Sequence, residues 1–317
     1  MSRPLAVYSD VVGVDPAPGA TLLEQEGFEV RVLATADPER VAGEAETVAL
    51  LVGGATPVTD ELMAALPRLR IVATMSVGWD MIDIEAARAR RIWVANVPAA
   101  ATEEVAVHAF AMGLSLLRGL PFLDRAVRGG TWDEAAEPLR RPSAATLGVL
   151  GLGRIGRRVA ELGRPVYGRV VGHDPLVAPP SGVARVESDA LLADADVVSL
   201  HLPLTDATHH VIDADAIGRM RPGALLVNVS RGALVDPVAL VAALDDGQLG
   251  GAALDVLTVE PPPPDDPLVL HPRTLVTPHY AYYSGDAARA YVIDQARNVV
   301  AWMRDGRPSD VVVAGEE

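Results

Sequence analysis

The sequence predicts an α/β protein built on a doubly wound parallel sheet. Two observations predict it. Short apolar runs alternate with helical stretches along the chain, and one apolar run passes straight into a glycine-rich turn that opens a helix. At 317 residues the chain is long enough for two domains of ordinary size.

The strands expected in the first part are Leu5–Tyr8, Glu29–Leu33, Val48–Val52, Ile71–Thr74 and Ile92–Ala95, with helices over Thr59–Leu66 and Ile84–Arg90. Asn96-Val-Pro98 punctuates the chain. A long apolar-faced helix then runs from Thr102 to Leu117, its opening Thr-Glu-Glu suiting a helix N-terminus. The pattern restarts with a strand over Thr146–Leu150 and a helix from Arg154 to Leu162. Strands follow at Val170–Asp174, Val197–Leu200, Leu225–Val229, Ala252–Asp255 and Thr274–Thr277. A last helix is expected from Asp286 to Met303, and Pro261–Pro264 reads as a rigid surface loop.

Composition excludes several classes of function. The formal charge of −15, with no basic cluster to offset it, argues against a nucleic-acid or anionic-membrane surface. Cysteine is absent, which removes disulfides, thiolate catalysis and thiolate metal sites. Lysine is absent too, which removes Schiff-base chemistry and the phosphate-binding lysine of a P-loop. No uninterrupted apolar run reaches the roughly 18 residues of a membrane span, and no signal-peptide core follows Met1. The expectation is a cytoplasmic protein.

Gly151-Leu-Gly153-Arg-Ile-Gly156 follows the strand ending at Leu150 and opens a helix, the context that makes G-x-G-x-x-G a dinucleotide-binding, Rossmann-type signal. The first glycine permits the tight turn, the second lets backbone amides approach a pyrophosphate, and the third lets helix and strand pack. The next strand ends in His173-Asp174-Pro175. Asp174 stands where a carboxylate receives the ribose hydroxyls and repels a 2′-phosphate, favouring NAD over NADP. The segment His201-Leu202-Pro203-Leu-Thr205 follows another strand and could wall the adenine pocket; alone it is an ordinary loop, with His201 structural.

Three later strands each end in a polar residue suited to chemistry: Arg231 after Leu225–Val229, Asp255 with Glu260 five residues on, and His279 after Thr277-Pro278. Hydride delivery to a 2-keto acid needs an anchor for the carboxylate, a proton for the carbonyl oxygen and control of the proton donor. An arginine fork suits the first, a histidine the second, and a carboxylate beside the imidazole the third. Singly, each has a plain structural alternative, as a surface ion pair, a solvated acid or a loop histidine.

Over nearly its whole length the chain resembles the D-isomer-specific 2-hydroxyacid dehydrogenase family. The resemblance is carried by Gly-Leu-Gly-Arg-Ile-Gly (151–156), Asn-Val-Ser-Arg-Gly (228–232), Ala-Leu-Asp-Val (253–256), Val-Glu-Pro (259–261) and Thr-Pro-His (277–279), in the family's order. It implies that Arg231 binds substrate, that Glu260 pairs with His279, and that His279 is the acid/base. Asp255 and Thr102 would lie near the nicotinamide. Cofactor contact would extend to Arg154, Ile155, Leu202, Pro203, Thr208, Val229 and His279. Ser76-Val77-Gly78-Trp79-Asp80 matches the family's substrate loop, where the amides of Val77 and Gly78 would receive the carboxylate.

The resemblance also implies a split fold. Residues 1–98 and 284–317 would form a flavodoxin-like substrate domain, and 99–283 the dinucleotide-binding domain, with cleft closure excluding water. A homodimer is implied, with the arm Leu120–Trp132 as its interface. Within the family, Thr102–Ala106 and the tail His279–Ser284 most resemble the C-terminal-binding-protein subgroup. Tyr280 and Tyr282 replace that subgroup's alanine and tryptophan, keeping an aromatic wall at Tyr282, and Thr74 stands where its eukaryotic members carry arginine. Tyr8, Trp79, Tyr280 and Tyr282 point to an aromatic-lined pocket. Glu260 separates the chain from related formate dehydrogenases, which carry glutamine there. Two rivals remain: phosphite oxidation on the same scaffold, and a dinucleotide-sensing binding protein.

Overall fold

The structure, a computed structural model, describes residues 3–11, 13–132 and 139–315. In chain order its elements are β1 (Leu5–Tyr8), α1 (Ala17–Gln25), β2 (Glu29–Val32), α2 (Pro38–Ala42), β3 (Thr47–Val52), α3 (Asp60–Ala65), β4 (Ile71–Thr74), α4 (Ile84–Ala89) and β5 (Trp93–Ala95). Then come α5 (Thr102–Leu117), α6 (Leu120–Arg128), β6 (Thr146–Leu150), α7 (Arg154–Gly163), β7 (Arg169–His173), β8 (Ala184–Arg185), α8 (Ser188–Asp194), β9 (Val197–Leu200), α9 (Ala214–Arg219) and β10 (Ala224–Asn228). The chain finishes with α10 (Pro237–Asp245), β11 (Leu249–Leu254), α11 (Pro267–Leu270), β12 (Thr274–Val276), α12 (Gly285–Asp305) and β13 (Val311–Val313). Every expected strand and helix is present, with ends shifted by a few residues. Strands β8 and β13 lie outside the expectation, being very short.

The chain divides into two compact units, Met1–Ala101 with Tyr283–Glu317, and Thr102–Tyr282. In the first, the sheet order is β13-β5-β4-β3-β1-β2, parallel throughout except for β13, which runs antiparallel to β5. The parallel strands therefore run 2-1-3-4-5, the flavodoxin-like order, with its switch point between β1 and β3. Both sheet faces are covered. Along β1, Leu5 and Val7 join one buried cluster and Ala6 and Tyr8 the other, as period-2 alternation requires. Side-chain caps start this unit's helices other than α1: Asp37 accepts from Glu39 N, Thr59 from Leu62 N, Asp83 from Ala86 N and Ser284 from Ala287 N.

A buried carboxylate organises the carboxyl edge of this sheet. Asp10, two residues beyond β1, accepts the amides of Gly53 at 2.6 Å, Gly54 at 2.9 Å, Thr56 at 3.0 Å and also Ala55, and the Ser9 hydroxyl at 2.7 Å. Burial pushes its carboxyl up, but these donors outweigh burial and hold it below the usual range.

In the second unit the order is β12-β11-β10-β9-β6-β7-β8, all parallel. Counted from β6 this is 3-2-1-4-5-6 with one strand added, the Rossmann order, switching between β6 and β9. Leu150, Val171, Val198, Leu200, Leu226 and Leu254 share one buried cluster. Each such leucine contributes about 1.5–3 kcal/mol. Helices α5 and α7 pack against each other, and α5 also covers β9, β10 and β11. No single helix among the described residues is long and apolar enough to cross a membrane.

Candidate active site

The topology of the second unit sets the site. Strand β6 feeds the glycine turn at the switch point, while β10, β11 and β12 are successive neighbours whose carboxyl ends carry Arg231, Glu260 and His279. Gly151 has φ +89°, and a Cβ there would stand 2.3 Å from the carbonyl oxygen of His201. A Cβ on Gly156 would stand 1.9 Å from the carbonyl oxygen of Gly151, so helix and turn can touch only without a side chain. Gly153 differs: a Cβ there meets nothing within 4 Å, and as N-cap of α7 it brings no side-chain cap. Open space before uncapped helix amides is what a pyrophosphate needs, so these residues fit a dinucleotide.

Asp174 sits just past β7 as expected, and its carboxylate organises the turn. Oδ2 accepts from Leu152 N at 2.8 Å, and Oδ1 accepts from the amides of Leu176 and Val177, each at 2.8 Å. Burial pushes its carboxyl up, but the three amides prevail and hold it low. His201 packs behind the turn with Nε2 against Ser199 Oγ at 2.8 Å. Its Nδ1 is buried without a partner among the described residues, and burial pushes the imidazole down to about 3, so it is neutral. Thr208 closes the loop after Pro203, its hydroxyl donating to the Pro203 carbonyl at 2.6 Å.

Arg231, Glu260 and His279 are brought together. His279 Nδ1 lies 2.6 Å from Glu260 Oε2, and Glu260 Oε1 accepts from Leu257 N at 2.8 Å. Burial pushes the Glu260 carboxyl up, but His279, Leu257 N and the charge of Arg231 together hold it below the usual range. An ionised Oε2 accepts, so Nδ1 carries the hydrogen and Nε2 is left for chemistry. Arg231 is placed by its neighbours. Asn228 Nδ2 donates to its carbonyl at 2.8 Å, and Gly232 packs so tightly on the next segment that a Cβ would stand 2.1 Å from the carbonyl carbon of Leu257. Neither support was legible from the motif, although the Asn and Gly that flank Arg231 belong to it.

Asp255, expected near the nicotinamide, has a side chain only 1% exposed, and both its oxygens are engaged within the protein. Oδ1 accepts the Thr277 hydroxyl at 2.5 Å and Tyr280 N at 2.9 Å, and Oδ2 accepts Ala281 N at 3.0 Å. Its carbonyl accepts His279 N at 2.7 Å. The far side of the Thr277 hydroxyl faces His108 Nε2 at 3.1 Å. Tyr280 and Tyr282 meet edge-to-face, centroids 5.9 Å apart. Thr102 opens α5, and Val229 follows β10.

In the first unit the loop Ser76–Gly78 is braced from inside. The Ser76 hydroxyl donates to the Gly78 carbonyl at 2.6 Å and meets the Thr74 hydroxyl at 2.6 Å, while Asn96 Nδ2 donates to the Val77 carbonyl at 2.7 Å. Thr74 is fully buried. The expectation that Tyr8 lines a pocket is corrected. Its side chain is 0% exposed, and a Cβ on Gly19 would stand 2.4 Å from its hydroxyl. A tyrosine on an inner strand of a two-faced sheet points into a core. Trp79, Tyr280 and Tyr282 are solvent-exposed.

The family profile described as "D-isomer specific 2-hydroxyacid dehydrogenase, NAD binding domain" matches residues 110–281. The chain is 39% identical over 264 residues to the glyoxylate reductase of Korarchaeum cryptofilum, covering 81% of this chain and 80% of that protein. It is 38% identical over 304 residues to the D-3-phosphoglycerate dehydrogenase of Mycobacterium tuberculosis, covering 94% of this chain but only 57% of that protein. The crystal structure of D-lactate dehydrogenase from Aquifex aeolicus, complexed with NAD and lactic acid, is similar with TM-score 0.86 and 29% identity over 98% of this chain and 99% of that one.

Proposed function

Because the chain belongs to the D-isomer specific 2-hydroxyacid dehydrogenase family, we propose that it interconverts a 2-keto acid and a D-2-hydroxy acid using NAD as cofactor. The observation that carries this reading is the 2.6 Å contact between His279 Nδ1 and Glu260 Oε2, with the charge of Arg231 acting on the same carboxylate. NADH, when bound, supplies the hydride. Arg231 holds the substrate carboxylate and polarises the carbonyl, and His279 gives a proton from Nε2 to the carbonyl oxygen in reduction and takes it back in oxidation. Glu260 keeps the ring oriented and stabilises the imidazolium before it gives up its proton.

The second unit would hold the cofactor, through Thr102, residues 151–156, Asp174, residues 201–203, Thr208 and Val229, while the buried Asp255 braces the segment that carries His279. The low carboxyl of Asp174 supports NAD over NADP, since an anion there repels a 2′-phosphate. The first unit would serve substrate: the amides of Val77 and Gly78 donate to no acceptor among the described residues and suit a carboxylate. Helix α6 supports a homodimer. It buries no residue, and Leu120, Val127 and, just beyond, Trp132 at 89% exposure present apolar surface.

A panel of 2-keto acids assayed with NADH tests the reading. Turnover should fall by roughly 10²-fold or more in His279→Ala. Turnover unchanged in both Arg231→Ala and His279→Ala, or NADH formed from phosphite with no keto acid reduced, would overturn it. Tight NADH binding without any turnover would favour a dinucleotide-sensing role instead.

A further inference from the structure

We infer that His108 is a positioning residue for the acid/base, acting through Thr277 and Asp255. The inference rests on the proposed role of His279. The Thr277 hydroxyl has one hydrogen, and it goes to Asp255 Oδ1 at 2.5 Å. Both carboxylate oxygens of Asp255 already accept backbone amides, from Tyr280 and Ala281, so neither offers a hydrogen in return. The remaining neighbour of the hydroxyl, His108 Nε2 at 3.1 Å, must therefore be the donor, which fixes its hydrogen on Nε2.

This ordered chain, His108 to Thr277 to Asp255, ends on the segment that carries His279. Asp255 takes the amides of residues 280 and 281 on its carboxylate and that of His279 on its carbonyl. His279 needs such restraint because its φ is +51°, a left-handed conformation that a residue with a Cβ adopts only when its surroundings impose it. His108 stands on α5, a 16-residue helix packed on α7, β9, β10 and β11, so the chain ties the segment that follows β12 to a helix packed through the same unit. Cutting it should loosen the imidazole without touching the glycine turn.

Two readouts test this, one of them independent of turnover. In nitrogen-15 NMR of the protein without cofactor, the His108 ring should show a protected Nε2–H signal that is lost in Thr277→Val, and His108→Leu should displace the ring signals of His279. In keto acid reduction, His108→Leu should lower kcat by about tenfold while KM for NADH stays within about twofold. His108→Gln, which keeps a donor, should restore most of the loss, and so should Thr277→Ser measured against Thr277→Val. The double variant should be no slower than Thr277→Val alone, since both changes cut one chain. An Nε2 without hydrogen, or a folded His108→Leu with unchanged His279 signals and kcat, overturns the inference. If the NMR results hold but no keto acid is turned over, the positioning stands and the proposed activity fails.

Discussion

Glu260 and His279 meet through Oε2 and Nδ1 at 2.6 Å, and the second carboxylate oxygen is fixed by the amide of Leu257. The contact joins the ends of two neighbouring strands, β11 and β12, and is partly open to solvent. Glu260→Gln keeps the shape but replaces an anionic acceptor by a neutral amide. It should lower kcat at least roughly tenfold with little change in cofactor affinity. The sign of the pH effect follows from the lowered carboxyl of Glu260. The anionic acceptor for His279 Nδ1 is present above the ordinary carboxylate range and is lost as pH falls through the depressed value. Wild-type activity should therefore keep this contribution below pH about 4.3, the usual glutamate value. An unchanged kcat in the glutamine variant would count decisively against the pairing.

Arg231→Lys tests whether charge alone is enough. Lysine keeps the positive charge but not the planar fork, so it can meet a carboxylate and a carbonyl only one at a time. We expect kcat/KM to fall by about 10²-fold, with most of the loss in the keto acid steps rather than in NADH binding. Recovery to within threefold of wild type would show that a point charge suffices.

The glycine turn gives a paired prediction. Gly153→Ala adds a methyl into open space, so thermal stability should hold while the dissociation constant for NADH rises about tenfold, the equivalent of roughly 1.4 kcal/mol. Gly156→Ala drives a methyl into the carbonyl of Gly151 and should lower stability itself. Calorimetry with and without NADH separates the two. Equal destabilisation in both variants would remove the claim that Gly153 is reserved for a ligand.

Asp10 offers a prediction about stability alone. Asp10→Ala leaves the amides of residues 53–56 without their acceptor and should cost roughly 2–4 kcal/mol. Because its carboxyl is held below the usual range, the stabilisation is complete above pH about 3.9 and disappears as pH drops through the folded value. The variant should show a flatter acid limb in its melting temperature. A limb as steep as that of wild type would be incompatible with this account.

Most of the architecture was legible because buried parallel strands are apolar runs, as in Val197–Leu200 and Leu225–Val227. What escaped had no such signal. Strand β8 is two exposed residues, and β13 follows the long last helix and pairs antiparallel, so neither repeats the pattern. The three side chains proposed to do the chemistry were readable because each follows a strand. Their supports were not. Thr277 meets a histidine 169 positions away on another element, a pairing that only the folded chain sets. In the first unit, Asp10 lies two residues past a recognised strand, and its partners, the amides of residues 53–56, are more than 40 positions away in the chain. Tyr8 shows the converse limit, since an aromatic residue near a strand end looks the same whether it faces a core or a ligand.

The first unit is discontinuous in the chain, and that has a consequence for synthesis. Its parallel strands β1 to β5 leave the ribosome early, yet part of the cover of one face waits for α12, whose Ala296 and Val299 join Leu23 of α1 and Ala6, Leu51 and Ala73 in the same buried cluster. Gln295 of that helix also supplies the donor for the carbonyls of Val52 and Ala73. Residues 102–282 can close their own sheet before α12 has emerged, whereas the first unit, though it begins the chain, cannot complete its core until that helix is made. For the whole of that interval, nascent chains expose an unfinished apolar sheet, the period in which a chaperone would find them.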